Sequence, residues 1–213
     1  MTKRPVDPRW FEELRTGQLR DSLVWLAPLR THVDSLVSFG CCSSEPFALM
    51  WTLDAVEGEV VELKKENLRK PKEDLARLKQ SSLVATSPLF GCMDGRSVHF
   101  IVEDMSELKE EQLRSDCCDL AYCEEVLYFM WDKGAKFQKS INQMARVVKP
   151  GGWVIACEGK IRDRYPGGDL IDISQYFLAA GLEKVSLKGA PESCGCYEKP
   201  NRPSNPSLET TVQ

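Results

Sequence analysis

SINQMARVVKPGGWVIACEG, residues Ser140–Gly159, decides the fold, because it places a helix, a turn and a buried strand in direct succession. Apolar residues in and just before it recur at helical spacings, which puts them on one face. They are Phe137, Ile141, Met144, Ala145 and Val148. Pro150 ends the predicted helix, and Gly151 and Gly152 allow a sharp reversal with positive φ. Trp153–Cys157 is then predicted to be a short strand that is covered on both faces.

The composition is that of a globular protein. A chain of 213 residues suffices for one domain, and 42% of its residues are hydrophobic and 28% charged. The net charge of -4 provides no general attraction to nucleic acid or to an anionic membrane. No apolar run approaches the ~18 residues of a membrane span, and the N-terminus lacks an apolar signal core. We therefore expect a cytoplasmic protein without a membrane partner.

Cysteine is frequent in this chain. The nine cysteines lie at positions 41, 42, 92, 117, 118, 123, 157, 194 and 196. Their odd number argues against a closed disulfide framework, and no C-x-x-C spacing occurs. With only two histidines in addition, a zinc site has little support, and no metal is predicted. We expect small, buried thiols, although thiol chemistry at Cys194 and Cys196 stays open.

Apolar runs alternate with helical patterns through most of the chain. The predicted strands are Leu36–Phe39, Glu59–Leu63, Val98–Val102, Asp119–Cys123 and Trp153–Cys157. The predicted helices are Pro46–Ala55, a charged helix within Glu66–Lys79, Ser106–Arg114, Ala135–Val148 and Ile171–Ala180. Such alternation implies an α/β fold with a parallel sheet, right-handed crossovers and helices on both faces.

The two ends of the chain depart from this alternation. Helical patterns precede the first strand, including one at Leu19–Leu29 that contains Pro28. Two predicted strands near the other end, Glu183–Leu187 and Cys194–Glu198, are too close for a crossover and must form an antiparallel hairpin. The chain is therefore predicted to divide into an N-terminal helical cap at 1–34, a sheet domain at 35–199 and a disordered tail at 200–213.

The turn at Lys149–Gly152 resembles the "aRvLKPGG" run of class I S-adenosylmethionine-dependent methyltransferases. Asp119–Leu127, DLAYCEEVL, is similar to the fourth-strand run "DlVvc.evL" of the same family and lies at the expected distance. The resemblance implies a single Rossmann-like methyltransferase domain with a mainly parallel seven-stranded sheet and an antiparallel C-terminal hairpin. It also implies S-adenosylmethionine as the cofactor.

The loop after the first strand, LVSFGCCSSEP, is the expected cofactor loop, because ligands of doubly wound sheets bind at carboxyl strand ends near the switch point. The resemblance aligns Gly40 with the first glycine of the family's glycine-rich motif. Ser38 stands in place of an acidic residue, and Cys42 and Ser44 stand in place of the later glycines, with Cys41 between them. These side chains are small but adopt positive φ less readily than glycine. The alternative is a tight turn without a ligand.

Two further strand ends match cofactor positions of the family. Glu62 ends the second predicted strand, where the family places a carboxylate that accepts hydrogen bonds from both ribose hydroxyls, and Leu63 follows it in the site. After the third strand, the resemblance assigns Asp104 to the adenine amino group and Met105 to the adenine ring. The alternative for Asp104 is a cap on the predicted helix that follows.

Residues just after the fourth strand line the reaction centre in this family. The resemblance therefore places Cys123 at the cofactor and makes Glu124 and Tyr128 candidate catalytic residues, with pocket wall or structural roles as the alternative. Motifs of nucleic-acid methylation, such as Asn/Asp-Pro-Pro-Tyr and Pro-Cys, do not occur at these positions. We expect a small-molecule acceptor, while a protein acceptor and a homodimer stay open.

Three functions are compatible with these residues. The first is an active methyltransferase. The second is a methyltransferase-like cofactor-binding or regulatory protein without turnover, because three positions of the glycine-rich loop are altered. The third is a protein that binds another nucleotide such as a nicotinamide cofactor, although the loop lacks the later glycines of that fingerprint.

Overall fold

A computed structural model describes residues 23–40, 45–69, 72–73, 76, 96–127, 129–130, 134–158 and 173–201. Seven strands form one sheet within these parts. They are β1 Ser35–Phe39, β2 Glu57–Glu62, β3 Ser97–Val102, β4 Cys118–Glu124, β5 Val148–Cys157, β6 Glu183–Val185 and β7 Cys194–Glu198. The helices are a 3₁₀ helix at Val24–Leu29, α1 at Glu45–Leu53, α2 at Ala135–Val147 and α3 at Ser174–Ala179. No described helix has the length and apolar character of a membrane span.

The strand order of the sheet is β3-β2-β1-β4-β5-β7-β6. The first five strands in this order are parallel, and β7 is antiparallel to both β5 and β6. The chain builds outward from β1 to β3 and then returns to place β4 on the other side of β1. The switch point therefore lies between β1 and β4. The predicted fold, including the antiparallel C-terminal hairpin, is confirmed.

Each face of the sheet carries its own apolar core, because side chains alternate along each strand. One core joins strand residues such as Phe39 and Val154 to α2 and α3. The other joins strand residues such as Leu36 and Ile155 to the 3₁₀ helix and α1. The helical contributions to the two cores include Phe137, Ile141, Met144 and Phe177 on one face and Leu26, Leu29, Leu49 and Leu53 on the other. Helices thus cover both faces.

One predicted helix end and one whole predicted helix are wrong, and the strand predicted at Glu183–Leu187 ends at Val185. Val148 has extended dihedral angles and opens β5 instead of closing α2: it pairs with Cys118, and Pro150 disfavours helical dihedral angles at Lys149, the next residue. The predicted helix Ser106–Arg114 consists of turns. Side chains there accept hydrogen bonds from backbone N–H groups. Gln112 Oε1 accepts from the Lys109 N–H at 3.0 Å, and this bond competes with a helical hydrogen bond.

The Lys149-Pro150-Gly151-Gly152 run is an irregularity inside β5 instead of a separate turn. β4 pairs with β5 through Cys118 and Val148, and pairing resumes at Leu120 and Trp153, beyond the run. Gly151 has a φ of 78°, which favours glycine. Gly152 is required for another reason, since an added Cβ would lie 2.8 Å from the Asp119 carbonyl oxygen. The predicted positive φ is therefore present at Gly151, whereas the predicted sharp reversal before the strand is wrong, because β5 already begins at Val148.

Asp119 and Lys149 link the two sequence runs directly, at the amino ends of the strands. Asp119 Oδ1 accepts a hydrogen bond from Lys149 Nζ at 2.7 Å. Asp119 Oδ2 accepts from the backbone N–H groups of Asp34 at 3.0 Å and Ser35 at 2.9 Å. Burial alone would raise the pKa of Asp119, but these hydrogen bonds outweigh burial and hold that pKa below its ordinary value. We call Asp119, Lys149, Asp34 and Ser35 the amino-edge clamp.

The outer predicted elements are described only in part. The second N-terminal helix appears as the 3₁₀ helix, which ends one residue after Pro28, and the rest of the helical cap lies outside the described residues. The charged helix predicted after β2 is helical at Arg69, Lys72, Glu73 and Ala76. The predicted tail lies outside the described residues beyond Asn201.

Cys157 and Cys194 form a disulfide. They are opposite each other in the antiparallel pairing of β5 and β7. The expectation of thiols throughout is wrong for this pair, because strand register brings together residues that are 37 positions apart. The described thiols are those of Cys117, Cys118, Cys123 and Cys196.

Candidate functional site

The carboxyl ends of the parallel strands meet at one edge of the sheet. Phe39 is level with both Val61 and Cys123, and Glu62 is level with Val102. Most of the described residues that the sequence proposed for the cofactor and for catalysis follow or close these strands. They are Gly40, Glu62, Leu63, Asp104, Met105, Cys123 and Glu124. The fold therefore brings them to the edge where ligands bind in doubly wound sheets.

Gly40 opens the turn after β1. Its φ is 74°, and its N–H donates to the Val61 carbonyl at 2.8 Å. A Cβ at this position would overlap Val126 Cγ2, so the loop after β4 fills the space that a side chain would occupy. Ser38 is fully buried within β1. Cys41, Cys42 and Ser44 lie outside the described residues.

Glu62 is a buried carboxylate at the end of β2, with 6% of its surface exposed. Its Oε1 accepts hydrogen bonds from the Lys64 N–H at 3.1 Å and from Asn67 Nδ2 at 2.9 Å. These donors fix the orientation of the carboxylate, and the sequence did not single out Asn67 for this purpose. Leu63, the next residue, is 58% exposed and presents an apolar side chain at the same edge.

Asp104 caps the turn that follows β3. Its Oδ1 accepts from Ser106 N–H at 2.9 Å and Ser106 Oγ at 2.7 Å, and its Oδ2 accepts from Lys136 Nζ of α2 at 2.9 Å. Burial alone would raise the pKa of Asp104, but the hydrogen bonds from Ser106 and Lys136 hold that pKa below its ordinary value. Asp104 thus caps a turn, whereas the alternative had expected it to cap a helix that the structure does not form. Met105 is buried in the core that α2 covers.

Two proposed residues close β4. Cys123 is fully buried, and its Sγ donates to Glu158 Oε1 at 3.6 Å. Glu124 Oε2 accepts a hydrogen bond from the Tyr122 hydroxyl at 3.2 Å. Tyr128 lies outside the described residues. Of the two catalytic candidates, the structure thus describes Glu124 alone.

Glu158 is a residue of this edge that the sequence analysis missed. It follows β5 directly and is 4% exposed. Its Oε1 accepts from the backbone N–H groups of Val126 at 3.1 Å and Leu127 at 3.0 Å. An acidic residue directly after the apolar second half of β5 was the available signal. The partners are backbone groups of a distant loop, which no sequence pattern reveals.

The first residue after β4, Glu125, has a φ of 55° although it is not glycine. Such a conformation persists only where surrounding contacts enforce it, and it is frequent at functional sites. Here the Glu125 N–H donates to the Cys157 carbonyl at 2.9 Å, which ties the end of β4 to the end of β5.

A family model described as "Methyltransferase domain" matches residues 37–156, which is more than half of the chain. The chain belongs to this methyltransferase-domain family. The match begins within β1 and ends within β5, so it spans the whole set of parallel strands. The predicted family is confirmed, and S-adenosylmethionine is the cofactor that goes with it. No curated protein sequence matches the chain.

Solved structures similar to this methyltransferase-domain protein have the same fold. The N-methyltransferase NodS from Bradyrhizobium japonicum WM9, in complex with S-adenosyl-L-homocysteine, is 15% identical with a TM-score of 0.55, covering 88% of each chain. A TehB-like SAM-dependent methyltransferase from Corynebacterium glutamicum is 13% identical with a TM-score of 0.56, covering 90% of this chain and 95% of that chain. An O-methyltransferase family protein from Burkholderia thailandensis is 11% identical with a TM-score of 0.62, covering 88% of this chain and 57% of that chain.

Proposed function

We propose that this protein transfers a methyl group from S-adenosylmethionine to a small-molecule acceptor. The observation that carries the proposal is the buried Glu62 carboxylate at the carboxyl edge of a methyltransferase-domain sheet. Backbone hydrogen bonds join the ends of β1, β2 and β3 at this edge. The Gly40 N–H donates to the carbonyl of Val61, next to Glu62, and the Glu103 N–H donates to the Glu62 carbonyl at 3.1 Å. The position and chemistry of Glu62 fit a ligand with two neighbouring hydroxyl groups, because one carboxylate can accept from both.

The other residues of the edge would complete the cofactor site. The turn of Ser38, Gly40, Cys41 and Cys42 would approach the amino-acid part of the cofactor. Leu63 and Met105 would flank the adenine, Asp104 would accept from its amino group, and Cys123 would line the site. The oxygens of Asp104 already accept from Ser106 and Lys136, but each carboxylate oxygen has more than one acceptor position.

The bound cofactor supplies an electrophilic methyl group, so the protein mainly has to align a nucleophile and exclude water. A base is needed only for an acceptor that carries a proton on its nucleophilic atom. Glu124 and Tyr128 are our candidates for that role, because Glu124 ends β4 and Tyr128 comes four positions later in the sequence. The hydrogen bond from Tyr122 orients the Glu124 carboxylate at 3.2 Å.

Acidic composition and the absence of nucleic-acid methylation motifs support a small-molecule acceptor. The net charge of -4 disfavours binding to a phosphate backbone.

A cytoplasmic location and a homodimer stay predictions. The disulfide between Cys157 and Cys194 argues against a reducing compartment, since disulfides seldom persist in the cytosol.

Glu62→Ala tests the proposed ribose contact. We expect this variant to bind S-adenosyl-L-homocysteine at least ~1.5 kcal/mol more weakly than the wild type in isothermal titration calorimetry, because charge-assisted hydrogen bonds are lost. Glu57→Ala is the matched control, since Glu57 is an exposed carboxylate at the amino end of the same strand. Equal affinities of the wild type and Glu62→Ala would refute this placement of the ribose.

A cofactor-binding protein without turnover is the second candidate. It is supported by Ser38, which is buried where the family has an acidic residue. A screen of small-molecule acceptors that follows the formation of S-adenosyl-L-homocysteine separates the two. Acceptor-dependent product formation supports the methyltransferase, whereas binding of the cofactor without product across hydroxyl, amine, thiol and carboxylate acceptors supports the second candidate.

A further inference from the structure

The Glu158 carboxylate holds the loop that follows β4. Its Oε1 accepts from the N–H groups of Val126 at 3.1 Å and Leu127 at 3.0 Å, and from the Cys123 thiol at 3.6 Å. Glu158 itself is anchored, because its N–H donates to the Ser193 carbonyl at 3.0 Å. Hydrogen bonds to a buried charge are strong, and a buried charge that loses its donors is costly. The carboxylate therefore fixes the backbone of this loop.

The loop in turn shapes the turn after β1. Val126 occupies the space beside the Gly40 Cα where a side chain would otherwise lie. The Gly40 N–H bonds to the Val61 carbonyl at 2.8 Å, directly before Glu62. Packed contacts of this kind transmit a displacement, because the interior has little free space. A shift of Val126 would thus reach both the Gly40 turn and the end of β2.

We propose that Glu158 is a positioning residue for the S-adenosylmethionine site. It acts through the Val126 backbone, which sets the Gly40 turn against which the cofactor lies. The proposal rests on the proposed function, since it requires the cofactor to bind at this edge. The acceptor need not be known to test it, because cofactor affinity is the readout.

Asp119 provides a matched control at the opposite edge of the sheet. Like Glu158, it uses one carboxylate oxygen to accept from two consecutive backbone N–H groups, those of Asp34 and Ser35. Substitution of Asp119 removes a comparable set of hydrogen bonds from the amino ends of the strands. It should lower the melting temperature and leave the carboxyl edge unchanged.

The test measures binding of S-adenosyl-L-homocysteine by titration calorimetry in Glu158→Ala, Glu158→Gln and Asp119→Ala. We expect Glu158→Ala to bind about tenfold more weakly, as for loss of a charged acceptor. Glu158→Gln should stay within about threefold of the wild type, because its amide oxygen still accepts from both N–H groups. Asp119→Ala should bind like the wild type despite a lower melting temperature. Hydrogen exchange at Val126 and Leu127 should accelerate in Glu158→Ala alone.

Wild-type affinity in Glu158→Ala, with melting temperatures lowered alike in Glu158→Ala and Asp119→Ala, would overturn the positioning role. If Glu158→Ala fails to fold, Glu158→Asp replaces it. Aspartate withdraws the carboxylate by one methylene, and unchanged affinity in that variant would equally overturn the proposal. A wild type that binds no S-adenosyl-L-homocysteine instead refutes the proposed function and this inference with it.

Discussion

At the scale of single residues, the amino-edge clamp explains why two separate sequence runs occur together. Asp119 begins one run and Lys149 begins the turn of the other, and their side chains meet at 2.7 Å. The same Asp119 carboxylate accepts from the start of β1 through Asp34 and Ser35. These residues therefore hold the amino ends of three neighbouring strands, β1, β4 and β5, next to one another. They stabilise the fold at the edge opposite the proposed cofactor site, so they can carry the family resemblance through the fold alone.

The clamp predicts a pH-dependent stability. The pKa of Asp119 is lowered in the folded protein, so its contribution is complete above its unfolded pKa of about 4 and is lost as the pH falls through the folded pKa. We expect Asp119→Asn to lower the free energy of unfolding by about 2 kcal/mol at pH 7. Urea denaturation should show this difference shrinking as the pH falls below about 4. A difference that is constant from pH 7 to pH 3 would contradict the clamp.

We expect the effects of substitutions at Gly40 and Val126 on stability to be coupled. Gly40→Ala should lower the free energy of unfolding by about 3 kcal/mol, because alanine is strained at positive φ and its Cβ overlaps Val126. Val126→Ala removes the overlapping methyl group, so adding it to Gly40→Ala should cost less than Val126→Ala costs in the wild type. A double-mutant cycle by urea denaturation measures this coupling. Additive effects would show that the two loops do not interlock.

At the scale of elements, β5 connects the two edges of the sheet. It begins with the Lys149–Gly152 irregularity beside the amino-edge clamp and ends at the disulfide and Glu158. The antiparallel partner β7 lies along the second half of β5, and the disulfide joins the two strands at the carboxyl edge. The strand is thus held at both of its ends.

The disulfide should contribute to stability by an amount that rises with the logarithm of the length of the loop it closes. Because Cys157 and Cys194 are 37 positions apart in the sequence, the loop-entropy relation gives about 3–4 kcal/mol. A reductant should lower the melting temperature of the wild type. It should have little effect on a Cys157→Ser/Cys194→Ser variant, which should already melt at the lower temperature. Cys117→Ser is the control, since Cys117 is a thiol in the structure. Equal responses of the wild type and the double variant to reductant would exclude the bond.

At the scale of the whole molecule, local patterns predicted most of the sheet because each parallel strand is a short, apolar run bounded by a helix or turn. The carboxyl-edge positions of Gly40, Glu62 and Cys123 followed from the family resemblance. Contacts between distant segments could not be predicted. Glu158 and the disulfide depend on strand register, which sequence spacing does not encode. The helix prediction at Ser106–Arg114 failed because side-chain oxygens there accept hydrogen bonds from backbone N–H groups, among them the Lys109 N–H, which a helix would use.

The most direct test of the proposed cofactor site is a calorimetric titration of the wild-type protein with S-adenosyl-L-homocysteine, with NAD as the competing ligand class. We predict one binding site per chain for S-adenosyl-L-homocysteine and no measurable heat of binding for NAD. The carboxyl edge would then hold the methyl donor's nucleoside as proposed. Binding of NAD, or no binding of S-adenosyl-L-homocysteine, would contradict the account.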